Sequence, residues 1–178
     1  MKLHLGCGKR FIPGFVHIDV IDYPHIDHVN SIDNLSFLPD NSVSLIYSCH
    51  VLEHFKRRDV PRVLEEWKRV LKPNGTLRIS VPDFESLCRV YQKYQDLSLI
   101  IGALFGRQDY LYNIHYNVFD FVSLTSFLHG AGLTNVRRYD WRDTEHAEVD
   151  DYSQAYIPHM DKSNGILISL NAECSKPA

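Results

Sequence analysis

The chain has 178 residues, 44% hydrophobic, 12% aromatic and 23% charged, a globular profile that excludes disorder and allows one core hiding roughly 70% of the unfolded surface. Its 19 Lys and Arg against 22 Asp and Glu give a net charge of −3, which argues against nucleic acid as a partner. Cys7, Cys49, Cys88 and Cys174 are far apart with no Cys-x-x-Cys pair, so they read as reduced thiols of a cytoplasmic protein. The start shows no signal-peptide pattern, and the longest apolar stretch, residues 97–105, is too short for a membrane span. One domain over residues 1–178 is expected.

In chain order, residues 2–5 form a short strand ended by Gly6-Cys7-Gly8, and residues 15–20 form a second. Residues 28–32 give a short third strand, and 43–49 a fourth after a turn at Asp40-Asn41-Ser42. Asp59 then caps a helix that tolerates Pro61 in its first turn. Val60, Val63, Leu64, Trp67, Val70 and Leu71 recur every three or four positions, so one face of that helix is buried. Lys72-Pro73-Asn74-Gly75 is a turn, followed by a fifth strand at 76–81. Asp83 opens a helical region to about Gly106 with a break near Asp96, and Asp120 caps a helix over 121–129 that Gly130-Ala131-Gly132 ends. Residues 136–141 and 166–172 are the last two strands. The alternation predicts an α/β fold with a mainly parallel sheet covered on both faces. His17, His25, His28, His129 and His146 are expected at the surface or in caps.

In open parallel sheets, ligands bind beyond the carboxyl ends of the strands. That selects Gly6-Cys7-Gly8, Asp19, residues 31–34 and residues 48–54. Glycines without a Cβ let the backbone turn sharply and approach a ligand, and an acid ending the second strand can accept from both hydroxyls of a ribose. A dinucleotide is disfavoured, because the next glycine after Gly8 is Gly14 and the Gly-x-Gly-x-x-Gly fingerprint is absent.

This order of segments resembles the class I S-adenosylmethionine-dependent methyltransferases, in particular their small, type-11-like members. Leu3-His4-Leu5-Gly6-Cys7-Gly8 is similar to the family's first motif, and Val16-His17-Ile18-Asp19 to its second strand with the ribose-binding acid. Residues 38–54 resemble its fourth motif, and residues 69–77 its turn before the fifth strand. The resemblance implies a doubly wound Rossmann-like sheet of seven strands, the last antiparallel. It implies S-adenosylmethionine as cofactor, contacted by Leu5, Gly6, Cys7, Gly8, Asp19, Ile32, Asp33, Ser48 and His50, with Asp33 reading the adenine edge. Ten residues separate Leu5 from Val16, so the first crossover holds one helical turn at most.

The expected reaction is methyl transfer to an O or N atom of a small-molecule or glycan-like acceptor. His50 and His115 are the candidate bases, since an imidazole titrates near neutrality. Residues 110–117, rich in tyrosine, and residues 142–164 are the material for a lid, unless a second copy in a homodimer supplies the cover. The alternative is a non-catalytic cofactor-fold subunit that binds a partner enzyme. His50-Val51-Leu52-Glu53-His54 also matches an inverted zinc-hydrolase string, but no third ligand stands out and no metal is expected. Cys7 and Cys49 are read as small residues filling tight loops.

Overall fold

The computed structural model describes residues Met1–Ala178. Its strands are β1 Lys2–Leu5, β2 Val16–Asp19, β3 His28–Val29, β4 Val43–Cys49, β5 Leu71–Pro82, β6 Thr134–Arg138, β7 Tyr156–Ile157, β8 Ile166–Leu167 and β9 Ser169–Ser175. Seven of them form one sheet in the order β3-β2-β1-β4-β5-β9-β6, while β7 and β8 make a separate hairpin. The pairs from β3 to β5 are parallel, and β9 runs antiparallel to both β5 and β6. Strand order reverses between β1 and β4, which opens a crevice at their carboxyl ends. The helices are α1 Val60–Val70, α2 Phe84–Tyr94, α3 Ile101–Phe105 and α4 Phe121–Gly130. None is long and apolar enough to cross a membrane.

Register decides what each face of the sheet carries, because side chains alternate along a strand. Leu3 pairs with Val16 and Ile46, whereas His4 pairs with His17 and Tyr47. Leu3, Leu5, Ile18, Ile46, Leu77 and Ile79 join Val60, Val63, Leu64 and Trp67 of α1 and Leu124 and Leu128 of α4 in the main core. The reverse face carries a polar row, His17, His4, Tyr47, Arg78 and Glu173. No helix joins β1 to β2, and residues 139–155 pack over this face instead. Val149 packs with Ile12, Phe15, Leu45 and Tyr47, and the His146 ring centroid is 4.1 Å from that of Tyr47.

His17 and His146, expected at the surface, are therefore buried. His17 finds local substitutes for water, the Ile12 amide donating to its Nε2 at 2.9 Å and its own amide donating to Asp27 Oδ2 at 2.7 Å, whereas His146 Nδ1 is buried without a hydrogen-bond partner. Other boundaries shift for local reasons. Asp59 precedes α1 but makes no side-chain cap, because its own backbone is already helical at φ −92°, ψ −18°. Asp120 does cap α4, in a reciprocal pair with Ser123. The turn at 72–75 lies inside β5 as a bulge, with Val43 opposite Leu71 and Leu45 opposite Thr76. The helical region after Asp83 breaks at Gln95, which is left-handed at φ 52°. The last expected strand divides in two, because the Ile168 amide donates to the Ala155 carbonyl at 2.9 Å and ties residues 166–167 into the hairpin. The strand expected at 136–141 is displaced to β6.

Candidate functional site

The loop after β1 depends on its glycines. Gly6 and Gly8 have φ of +64° and +53°, in the left-handed region that side chains disfavour. A Cβ on Gly6 would approach Val51 Cγ2 to 2.5 Å, whereas one on Gly8 would meet nothing within 4 Å. The loop thus packs directly on the segment following β4 and stays open at Gly8. Asp19 is buried at the end of β2, its Oδ2 accepting from the Gly8 amide at 2.8 Å and its Oδ1 from the Ile21 amide at 2.9 Å. A carboxylate oxygen has a second lone pair, so this anchored group retains acceptor capacity for two hydroxyls, as ribose requires. These residues fit a nucleoside-bearing cofactor.

The other sequence-selected cofactor residues are placed unevenly. Leu5 and Ile32 lie with their side chains in the main core, and the Ile32 carbonyl accepts from Trp67 Nε1 at 2.8 Å. Ser48 is fully buried beside Leu5 with no partner for its hydroxyl. Asp33 is clamped: Arg62 Nη2 of α1 donates to Oδ2 at 2.5 Å and Ser31 Oγ donates to Oδ1. Burial raises the Asp33 carboxyl, but the Ser31 and Arg62 bonds outweigh it and leave the group below its usual range. Cys7 is buried, and burial followed by the Asp19 charge pushes its thiol up to about 12. A neutral thiol of this kind is no nucleophile.

Beyond β4, the backbone makes a left-handed step at His50, φ 54°, where the His50 amide donates to the Ser80 carbonyl at 2.8 Å. A single 3-10 turn, Leu52–His54, follows. His50 Nε2 is 3.1 Å from Ser169 Oγ and its Nδ1 is 3.4 Å from Glu53 Oε1. The aromatic segment closes on this turn from downstream. The Tyr116 amide donates to the Glu53 carbonyl at 2.8 Å, and the His115 ring centroid is 4.7 Å from that of His54. The structure thus brings His50, Glu53, His54 and His115 into one cluster.

Burial governs the protonation of this cluster. It lowers His50 to about 3, with His115 and His54 adding to the effect, and lowers His54 to about 4, again with His115 adding. His115 is also lowered by burial, partly offset by the Ala103 carbonyl. Glu53 has no exposed surface, and burial pushes it up to about 8. At neutral pH the cluster therefore holds neutral imidazoles beside a protonated carboxyl group.

Sequence reasoning missed Ser169, which comes from β9 and has no adjacent residue linking it to His50. The two segments expected to form a lid each bring a tyrosine: the Tyr152 ring centroid is 5.3 Å from that of His50, and Tyr110 stands in the field of Tyr23, Asp109, Asp19 and Tyr152. Tyr112 and Tyr116 are half-exposed at the surface of this segment.

Residues 16–79 match the family model described as a methyltransferase domain. No curated protein matches the chain by sequence. Among solved structures, the chain is similar to an S-adenosylmethionine-dependent methyltransferase from Archaeoglobus fulgidus, at TM-score 0.60 and 15% identity over 98% of this chain and 85% of that one. It is similar to a Methanosarcina mazei S-adenosylmethionine-dependent methyltransferase, at TM-score 0.59 and 15% identity over 99% and 92% of the two chains. A third likeness is to the Burkholderia thailandensis 1,6-didemethyltoxoflavin-N1-methyltransferase bound to 1,6-didemethyltoxoflavin and S-adenosylhomocysteine, at TM-score 0.60 and 14% identity over 99% and 71%. These likenesses establish the fold, and the family-model match falls on its β2 to β5 region. The chain thus has the fold of S-adenosylmethionine-dependent methyltransferases, and residues 16–79 carry the methyltransferase-domain match.

Proposed function

We propose that the chain is a class I S-adenosylmethionine-dependent methyltransferase that, acting as one domain over residues 1–178, moves the methyl group of S-adenosylmethionine to an O or N atom of a small-molecule or glycan-like acceptor. The observation that carries this reading is the set of neutral, half-buried imidazoles at the end of β4, beside the glycine loop. S-adenosylmethionine supplies an already activated methyl group. Gly6, Cys7 and Gly8 present backbone to it, and Asp19 accepts from its ribose. Asp33 offers its remaining acceptor capacity to the adenine. The protein's part in the chemistry is to align the acceptor, exclude water and remove the acceptor's proton.

For His115, Nδ1 is 2.9 Å from the Ala103 carbonyl. A carbonyl only accepts, so Nδ1 carries the proton and Nε2 keeps the lone pair that a base needs. His50, expected as a base, is lowered to about 3 by burial and is too weak for that task; beside Ser169 it positions the acceptor instead. Tyr110 and Tyr152 supply the apolar faces that keep water from the crevice. A small acceptor is supported by the ligand named for the Burkholderia protein, and a reducing, cytoplasmic setting by four cysteines without a disulfide.

Calorimetry with S-adenosylmethionine, followed by a methyl-transfer screen of sugars and hydroxylated or amino metabolites, tests the reading. Asp19→Ala weakens cofactor binding by about 1.5–3 kcal/mol through loss of charge-assisted bonds. His115→Ala lowers turnover and leaves cofactor affinity unchanged. Unchanged affinity in Asp19→Ala defeats the ribose assignment, and full turnover in His115→Ala defeats the base assignment.

A further inference from the structure

Donors from two distant segments meet beside the crevice. A Glu53 carboxylate oxygen and one ring nitrogen each of His54 and His115 lie within 4.8 Å of one another. The sequence expectation of no metal rested on the strand-to-helix break, which separates the directions of His50 and His54, and on the lack of a third ligand. The fold supplies that ligand from the aromatic segment, while the left-handed step at His50 sends its ring towards Ser169.

Two independent features point to a cation. Glu53 is fully buried with Oε1 3.4 Å from His50 Nδ1, yet neither of its oxygens has a hydrogen-bond partner, a state that a buried carboxyl group leaves by pairing or by giving up its proton to bind metal. In addition, both imidazoles already have the outer contacts of metal ligands. His54 Nδ1 lies 3.1 Å from the Ile114 carbonyl and His115 Nδ1 lies 2.9 Å from the Ala103 carbonyl. Each carbonyl fixes the proton on Nδ1 and leaves Nε2 as the donor to an ion.

We propose that Glu53, His54 and His115 bind one divalent transition-metal ion of the zinc class. Two imidazoles and one carboxylate suit such an ion, whereas Mg²⁺ and Ca²⁺ take oxygen ligands. Bonds of about 2.0–2.2 Å put the ligands of a tetrahedral ion about 3.3–3.5 Å apart. A spacing of up to 4.8 Å exceeds this by about 1.5 Å at most. Three protein ligands leave one position of a four-coordinate ion open, the pattern of catalytic rather than structural sites. Resting on the methyl-transfer reading, that position takes the acceptor's oxygen or nitrogen. A bound ion would polarise an acceptor hydroxyl there, and in that state His115 Nε2 would be a ligand, in place of the base role it has in the ion-free protein.

The test is to strip the whole protein with chelator, titrate it with Zn²⁺ and with Co²⁺, and read stoichiometry by elemental analysis after gel filtration and Co²⁺ geometry by visible absorption. The expected result is one ion per chain, not displaced by excess Mg²⁺. Glu53→Gln, His54→Ala and His115→Ala each weaken binding by at least about tenfold, and His50→Ala keeps one ion per chain. Circular dichroism checks each fold, and His54→Gln or His115→Gln replaces an alanine variant that does not fold. Substoichiometric binding, or affinity unchanged in the three ligand variants, overturns the site. S-adenosylmethionine calorimetry on the same samples separates the two readings. Cofactor binding without ion binding overturns the metal site alone, and ion binding without cofactor binding overturns the methyl-transfer reading alone.

Discussion

The two faces of the sheet solve the same burial problem with different chemistry. On the α1 and α4 face, aliphatic side chains and Trp67 meet helices at regular spacing, and burial of apolar area supplies the stability. On the reverse face, His4, His17, Tyr47 and His146 are buried nearly as completely, yet they pack as rings under irregular chain. Tyr47 Oη donates to Asp151 Oδ2 at 2.6 Å, and Asp151 Oδ1 accepts from the Ser153 amide at 2.9 Å. The short β1–β2 link removes the helix that would cover this face. Residues 139–155 return to cover it with polar partners and place Tyr152 on His50. The apolar face is stabilised by packing, which is insensitive to pH. The polar face is held by neutral, ring-packed histidines and by hydrogen bonds such as that of Tyr47 to Asp151, with His4 Nδ1 and His146 Nδ1 left unpaired, and it also builds one wall of the candidate site.

Four measurements sharpen or break this contrast. Trp67→Ala on the apolar face removes the largest fully buried side chain and is expected to cost about 3–5 kcal/mol in chemical denaturation. A loss below about 1 kcal/mol would mean that α1 does not anchor the core.

Acid is expected to act through the polar face. Burial lowers His146 to about 4 and His4 well below its ordinary value. The groups around His146 are Asp151, Arg78, Glu145 and Lys2, and those around His4 are His17, His146 and His25. Because the unfolded chain binds these protons near pH 6.5 and the folded one does not, stability is full above about 6.5 and falls as pH drops towards 4. His146 alone accounts for on the order of 3 kcal/mol of that loss. Urea melts across pH 4–7 should show the slope, and His146→Gln should flatten it; an unchanged slope refutes the assignment.

Tyr47→Phe keeps the ring and removes one bond to a buried carboxylate, at an expected cost of about 1–3 kcal/mol. Thermal unfolding checks it, and the same change should loosen residues 139–155 to proteolysis before the global transition. Val122→Ser on the outer side of α4, 77% exposed, sets the baseline at under about 0.5 kcal/mol. A larger effect would show that this side chain is covered in solution.

Much of the fold was legible because its signals are local. The stripe on α1 needs only the helical period, and the caps and turns at Asp120, Asn74 and Gly132 need only their own backbone chemistry. The collinear Gly6, Gly8 and Asp19 needed only the rule that ligands gather at strand ends. The strand at 166–172 was misjudged because its division depends on the Ala155 carbonyl, a partner from another segment. His17 and His146 were misplaced for a related reason: a polar residue is expected at the surface unless distant chain covers it.

The sequence by itself therefore determined the order of most elements, the glycine turn after β1 and the acid at the end of β2, and the segments that could border the candidate site. Only the tertiary structure decided that His115 reaches His54 and Glu53, that Ser169 and Tyr152 hold His50, and that Arg62 clamps Asp33. Periodicity and turn chemistry act over a few residues and can be read along the chain. A site at the carboxyl edge of a sheet is assembled from returns of the chain, whose meeting points are set by strand order and by which face each connection covers.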